Sequence, residues 1–164
     1  MEDYKLELEK LDFSNIPFIE LPSIVEEKID EILLKYIEYK DDIIESLPQN
    51  IKTVYLIVAL EQFMNYSGLL SIFMNLNLKE ILFLRTGIIE SKCEQLLNLF
   101  DEAKQLVESK VALSEKYNFL EENPNSFFAE NLGDTVVNKI LNIEDQLFEL
   151  QYSGEYWETI EQMF

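Results

Sequence analysis

Histidine is absent from this chain of 164 residues, and cysteine, tryptophan, glycine and proline are scarce, at one, one, four and four. Without histidine there is no imidazole base, no Ser-His or Cys-His pair and no histidine metal ligand. The lone Cys93 has no partner for an intramolecular disulfide, so nothing points to an oxidising compartment. Beside Lys92 and Glu94 on an expected helix, it reads as packing or inert surface. The four glycines (Gly68, Gly87, Gly133, Gly154) are scattered, which excludes a glycine-rich phosphate loop. No D-x-D-x-D-G calcium loop is present either. The longest purely apolar run, Val54 to Leu60, is seven residues, against the roughly 20 that span a bilayer. Met1-Glu2-Asp3-Tyr4 opens acidic, unlike the basic-then-apolar start of a secretory signal. The expectations are a cytoplasmic protein with no membrane contact, no cofactor, no metal and no catalysis.

Basic residues are also in deficit: 13 against 32 acidic ones, for a net charge of −19. Such a field repels nucleic acid and anionic lipid and attracts basic surfaces over about a Debye length. A basic protein is therefore the expected partner, and direct nucleic-acid binding is not expected. The charge is uneven along the chain. Residues 1–50 carry 14 acidic and five basic residues, residues 51–100 carry four of each, and residues 101–164 carry 14 and four. The middle third reads as a buried hub and the outer thirds as an acidic shell.

What is abundant is apolar and aromatic: 48% hydrophobic, with 11 Phe and eight Tyr. That content argues against disorder despite the charge, and the length suits one domain. With so few breakers, the expectation is an all-α single-domain bundle of about seven helices. Residues 1–22 form an arm packing on the domain at 23–164; Tyr4, Leu6 and Leu8 alternate with charged residues, a weak strand-like hint, and Pro17 and Pro22 interrupt the rest of the arm. Ser23 and Glu26 suggest a capping box opening a helix whose apolar face is Ile24, Val25, Ile29, Ile32, Leu33, Tyr36 and Ile37. Ser46 and Gln49, with Pro48 between them, suggest a second. From Ile51 to about Tyr66 the pattern is apolar nearly all round, as in a helix buried on most sides. A short helix over Leu69–Met74 comes next, with Asn75 or Asn77 capping its successor. Helices are expected over 78–90 and 92–111, the latter with Leu96, Leu97, Phe100, Ala103, Leu106 and Val107 in register. Glu121 to Asn125 reads as the clearest loop. Thr135–Leu150 is then a helix striped by Val136, Ile140, Ile143, Leu147 and Leu150. After Ser153-Gly154, a last short helix carries Tyr156, Trp157, Ile160, Met163 and Phe164.

The stretch from Ala59 to Asn75 resembles the signature of a family of small acidic bacterial helical proteins, whose best-known branch is a DNA mimic. That signature runs approximately A-L-E, three residues, N, a glycine-rich turn, an aromatic and a second Asn. Glu61, Asn65, Gly68, Phe73 and Asn75 fall on matching positions. Ser67 replaces the first of two glycines, and Leu69 replaces the aromatic at that point. Beyond these 17 residues, 59–75, only helix order and length fit. The resemblance implies a helical fold and, in one branch, a dimer presenting carboxylates to a DNA-binding protein. Read physically, the matching residues are structural. Glu61 is expected to accept backbone N–H groups at the next helix start, Asn65 and Asn75 suit caps and turns, and Gly68 suits a left-handed or close backbone position.

Two acidic sets remain as partner-binding candidates. The first is Glu26, Glu27, Asp30, Glu31, Asp41, Asp42 and Glu45, partly neutralised by Lys28, Lys35 and Lys40. The second is Glu144, Asp145, Glu149, Glu155, Glu158 and Glu161, with no basic residue after Lys139. Carboxylates one helical turn apart sit roughly 6 Å apart along the axis, a spacing that a phosphate-reading surface accepts. The expected function is a non-enzymatic protein-binding module, a DNA mimic for a basic DNA-binding protein. The alternatives are an immunity protein neutralising a basic toxin and an acidic structural domain. An aromatic C-terminal helix also suits pairing into a homodimer.

Overall fold

The computed structural model describes residues 3–110 and 124–164, the side chains of 124–131 excepted. Among the described residues every regular element is helical: α1 (Asp3–Leu8), α2 (Leu21–Lys35), a 3-10 turn (Ile37–Tyr39), α3 (Lys40–Ser46), α4 (Gln49–Ser67), α5 (Leu69–Asn75), α6 (Leu78–Glu90), α7 (Glu94–Glu108), α8 (Pro124–Ser153) and α9 (Glu155–Glu161). The fold is all-α, as the periodicity predicts.

The neutral middle third is the hub. α4 buries Ile51, Val54, Leu56, Ile57, Val58, Leu60 and Met64, positions that surround the helix and do not trace a stripe. It is buried on most sides because α2, α5, α6 and α9 all pack against it. A layer of α7 and α8 closes the far side, with α8 against α5 and α9, and Phe73 of α5 meeting Phe100 of α7 at 5.6 Å between ring centres. The expected α8 stripe is buried in full at Val136, Ile140, Ile143, Leu147 and Leu150. No single helix among the described residues is long and apolar enough to cross a membrane; α4 and α5 pass that test only together, and their axes turn by 104°.

That turn is made at Gly68, with φ 80° and ψ 164°, a region that L-residues with a side chain rarely occupy. It throws α5 across the end of α4 and brings Phe73 into the core. Gly87 has a different reason. It lies inside α6 facing α4, and a Cβ there would stand 2.6 Å from the Cβ of Leu56. The missing side chain sets how closely the two central helices approach.

Several local expectations are corrected. The Tyr4-Leu6-Leu8 alternation is a helix, not a strand: Tyr4 is buried against Tyr36 and Tyr39, while Leu6 is largely exposed. The arm does pack on the domain, and Lys35 of α2 donates to Glu7 at 3.0 Å to fasten it. α2 begins at Leu21, two residues before Ser23, so Pro22 lies in the first turn and no side chain caps that end. Proline is suited there because its missing N–H is one that the helix leaves unbonded. The helix stops at Lys35, which leaves Ile37 in the 3-10 turn and exposed rather than on the apolar face. Ser46 is no cap for α4; its hydroxyl donates back to the Asp42 carbonyl at 2.6 Å, and Pro48 precedes the helix. Of the two asparagines before α6, Asn77 forms the capping box: it accepts from the Glu80 N–H and Glu80 accepts from its N–H, each at 2.9 Å. Pro124 and Asn125, expected in a loop, open α8, whose helical geometry breaks at Gly133 (φ 73°, ψ 158°), two residues before the expected start at Thr135; Glu121 and its two successors lie outside the described residues.

Candidate functional site

The two acidic sets differ in what their carboxylates already hold. In the first, α2 and α3 bring nearly every member to an intramolecular partner. Lys28 bridges Glu31 at 3.3 Å and Glu27 at 3.8 Å, and Lys79 of α6 bridges Asp41 at 2.9 Å and Glu45 at 3.4 Å. Asp30 accepts the Tyr55 hydroxyl at 2.9 Å, and Glu26 accepts from Gln62. Burial first, and the Asp30 charge second, push the Tyr55 hydroxyl far above the usual phenol range, so it stays a donor. Within this set only Asp42 keeps its carboxylate unengaged among the described residues. Two lysines thus share four of these seven carboxylates, while Lys35 and Lys40 pair outside the set, with Glu7 and Glu80.

The second set divides. Glu144 faces inward from α8 and accepts the Leu69 N–H at the start of α5. A Cβ on Gly68 would lie 2.7 Å from the same carboxylate oxygen, so the glycine also makes room for this bond. A carboxylate is favoured there because the first N–H groups of a helix have no internal acceptor. Glu144 is thus a cap as well as a candidate contact. Asp145, Glu149, Glu155, Glu158 and Glu161 are exposed, and among the described residues none of their carboxylates holds an ion pair or accepts a hydrogen bond. Asp145 and Glu149 stand one turn apart on α8. On α9, Glu155, Glu158 and Glu161 recur at three-residue intervals, opposite the buried Tyr156 and Ile160. α8 and α9 pack against each other, so the five lie on two adjoining helices.

Among the matching residues of the 59–75 stretch, Phe73 is fully buried and Gly68 makes the α4–α5 turn, while Asn65 in the last turns of α4 and Asn75 at the end of α5 are exposed. Glu61 corrects the expectation: the N–H it was expected to accept goes to Glu144 instead. Its own Oε1 accepts the Trp157 indole N–H at 2.9 Å and the Tyr156 hydroxyl. This contact ties α9 to α4. The signal for it was present, since Tyr and Trp packed into a core need a partner for their polar atoms; what no spacing revealed was that residue 61 lies beneath 156 and 157. Of the apolar residues of the C-terminal segment, Tyr156 and Ile160 are buried in the chain's own core, Trp157 and Met163 are half-buried and Phe164 is exposed.

Burial pushes the Glu61 carboxyl above the usual glutamate range, and the hydrogen bonds from Tyr156 and Trp157 pull it part of the way back. A carboxyl raised in the folded state contributes stability that is complete below its unfolded value and lost as pH rises through the folded one. Glu61→Gln keeps an acceptor oxygen for both donors and removes the charge. We expect its stability to fall less than the parent's between the ordinary glutamate range and neutral pH. Urea denaturation at a series of pH values measures this, and parallel profiles for the two proteins would refute it.

Among the described residues no three Cys, Asp or Glu side chains gather as metal ligands do. In comparisons with protein-family models, with curated proteins and with solved structures, nothing matches this chain.

Proposed function

We propose that this chain is a non-enzymatic protein-binding module, a DNA mimic that presents the carboxylates of α8 and α9 to a basic DNA-binding protein. One observation carries the reading. Lysines pair with four carboxylates of the first acidic set, whereas among the described residues Asp145, Glu149, Glu155, Glu158 and Glu161 hold no ion pair. Unpaired carboxylates a turn apart on fixed helices offer Lys and Arg the contacts that phosphates do. The resemblance at residues 59–75 supports the same reading, and one of its residues, Glu61, holds Tyr156 and Trp157 of α9.

Affinity capture at low salt from cells that make the protein, with elution by a salt gradient, tests it. The expected result is a basic DNA-binding protein released at moderate salt, because exposed charge pairs are screened within a Debye length. A basic toxin that stays bound past high salt would replace mimicry with immunity. Recovery of no basic protein would leave an acidic structural domain.

A further inference from the structure

At the α9 end of the bundle, an open pocket of about 530 Å³ is lined by Phe18, Ile19, Pro22, Glu61, Trp157, Glu158 and Glu161. Three of these seven are acidic and none is basic. Phe18 and Trp157 meet edge-to-face, with ring centres 6.3 Å apart. Both hydrogen bonds that Glu61 accepts arrive at Oε1, and among the described residues Oε2 accepts none. Ile19 stands beside the pocket at 90% exposure, an unusual place for an isoleucine.

We infer that this pocket receives a cationic side chain, lysine or arginine, presented by a segment of the partner protein; the inference rests on the reading that the partner is basic. Each wall fits that occupant. The free oxygen of Glu61 accepts from an ammonium or guanidinium. The rings of Phe18 and Trp157 offer faces to a cation, an attraction that strengthens as water is excluded. Glu158 and Glu161 add negative potential, and Ile19 with Pro22 takes the apolar stem of the side chain or an aliphatic neighbour. An anionic ligand would meet three carboxylates and no base, and a purely apolar one would desolvate the Glu61 Oε2 without giving it a donor.

Trp157 is the only tryptophan, so its fluorescence reports on this pocket alone. The probes are a short capped peptide carrying one arginine between leucines, and the same peptide with uncharged, isosteric citrulline. At low ionic strength the arginine peptide is expected to shift Trp157 emission saturably. The citrulline peptide should bind about tenfold more weakly, a desolvated cation–aromatic and charge pair being lost. Glu61→Gln, which retains both internal hydrogen bonds, should bring the arginine peptide down to the citrulline level. Equal binding of the two peptides, no saturable response to either, or an unchanged response in Glu61→Gln would overturn the inference. Amide variants at Asp145, Glu149 and Glu155, which lie outside the pocket, separate this from the broader reading. If they weaken binding of the captured basic protein while the peptides fail to discriminate, the pocket fails and mimicry stands. If the peptides discriminate and those variants bind the captured protein unchanged, mimicry fails and the pocket stands.

Discussion

Converting Asp145, Glu149, Glu155, Glu158 and Glu161 together to Asn and Gln is expected to weaken binding of the basic partner on the order of a hundredfold at low salt. That figure takes about threefold for each exposed charge pair, acting in concert. The same variant should flatten the dependence of log K on log salt, because fewer ions are displaced on binding. The structure supplies a matched control. Glu27, Glu31, Asp41 and Glu45 are nearly as numerous, but Lys28 and Lys79 already hold them. Converting those four removes negative charge that two lysines half neutralise within the chain, and leaves those lysines without their partners. Its effect is expected to stay within about tenfold, that of two net charges at the same rate. Titration calorimetry of both variants, with circular dichroism to confirm that each folds, measures the contrast. Equal losses would mean that total charge attracts the partner and that the α8–α9 surface has no special part.

Gly87→Ala is expected to destabilise the fold by about 2 kcal/mol, and the sign of the change is the informative part. On helix propensity alone, alanine inside a helix is favoured over glycine by about 1 kcal/mol. Here the new methyl meets the Leu56 Cβ, an atom fixed to the α4 backbone, at 2.6 Å. No rotamer of Leu56 moves that atom, so α4 and α6 must separate, and overpacking of this kind costs about 1–3 kcal/mol or more. Because α4 also carries α2, α5 and α9, a shift between α4 and α6 spreads through the hub. Thermal unfolding should show a lower midpoint. A raised midpoint would mean that the two helices slide apart freely and that propensity decides.

The helices were legible in the sequence because their signal is local. Val136, Ile140, Ile143, Leu147 and Leu150 recur at the helical period, and the structure buries all five. The all-round apolar pattern after Ile51 marks a helix packed on most sides, and α4 is that helix. Ends were harder to read, because a serine before a glutamate is a cap only where the backbone leaves the helix. At Ser23 the chain is already helical, with Pro22 in the turn before it. At Ser46 the hydroxyl turns back to Asp42. The strand-like alternation of Tyr4 and Leu6 runs over too few residues to separate a period of two from one of 3.6.

The candidate site was legible as composition and not as geometry. That the last acidic set lacks lysine neighbours can be counted along the chain. That Lys79 neutralises Asp41 and Glu45 cannot, since it comes from another helix nearly forty residues on. Glu144 and Glu61 show the same limit. Both are carboxylates on helices, and only the packing of α8 on α5, and of α9 on α4, assigns one to a helix start and the other to a tyrosine and a tryptophan.

The central claim is that this chain occupies a surface built for DNA, and competition tests it most directly. With the captured partner bound to labelled duplex DNA, fluorescence anisotropy on adding the protein should fall to the value of free DNA. The displacing concentration should rise with salt, and the variant amidated at all five α8–α9 carboxylates should displace little. A ternary complex in which DNA and the protein are held together, with anisotropy rising instead of falling, would contradict mimicry outright.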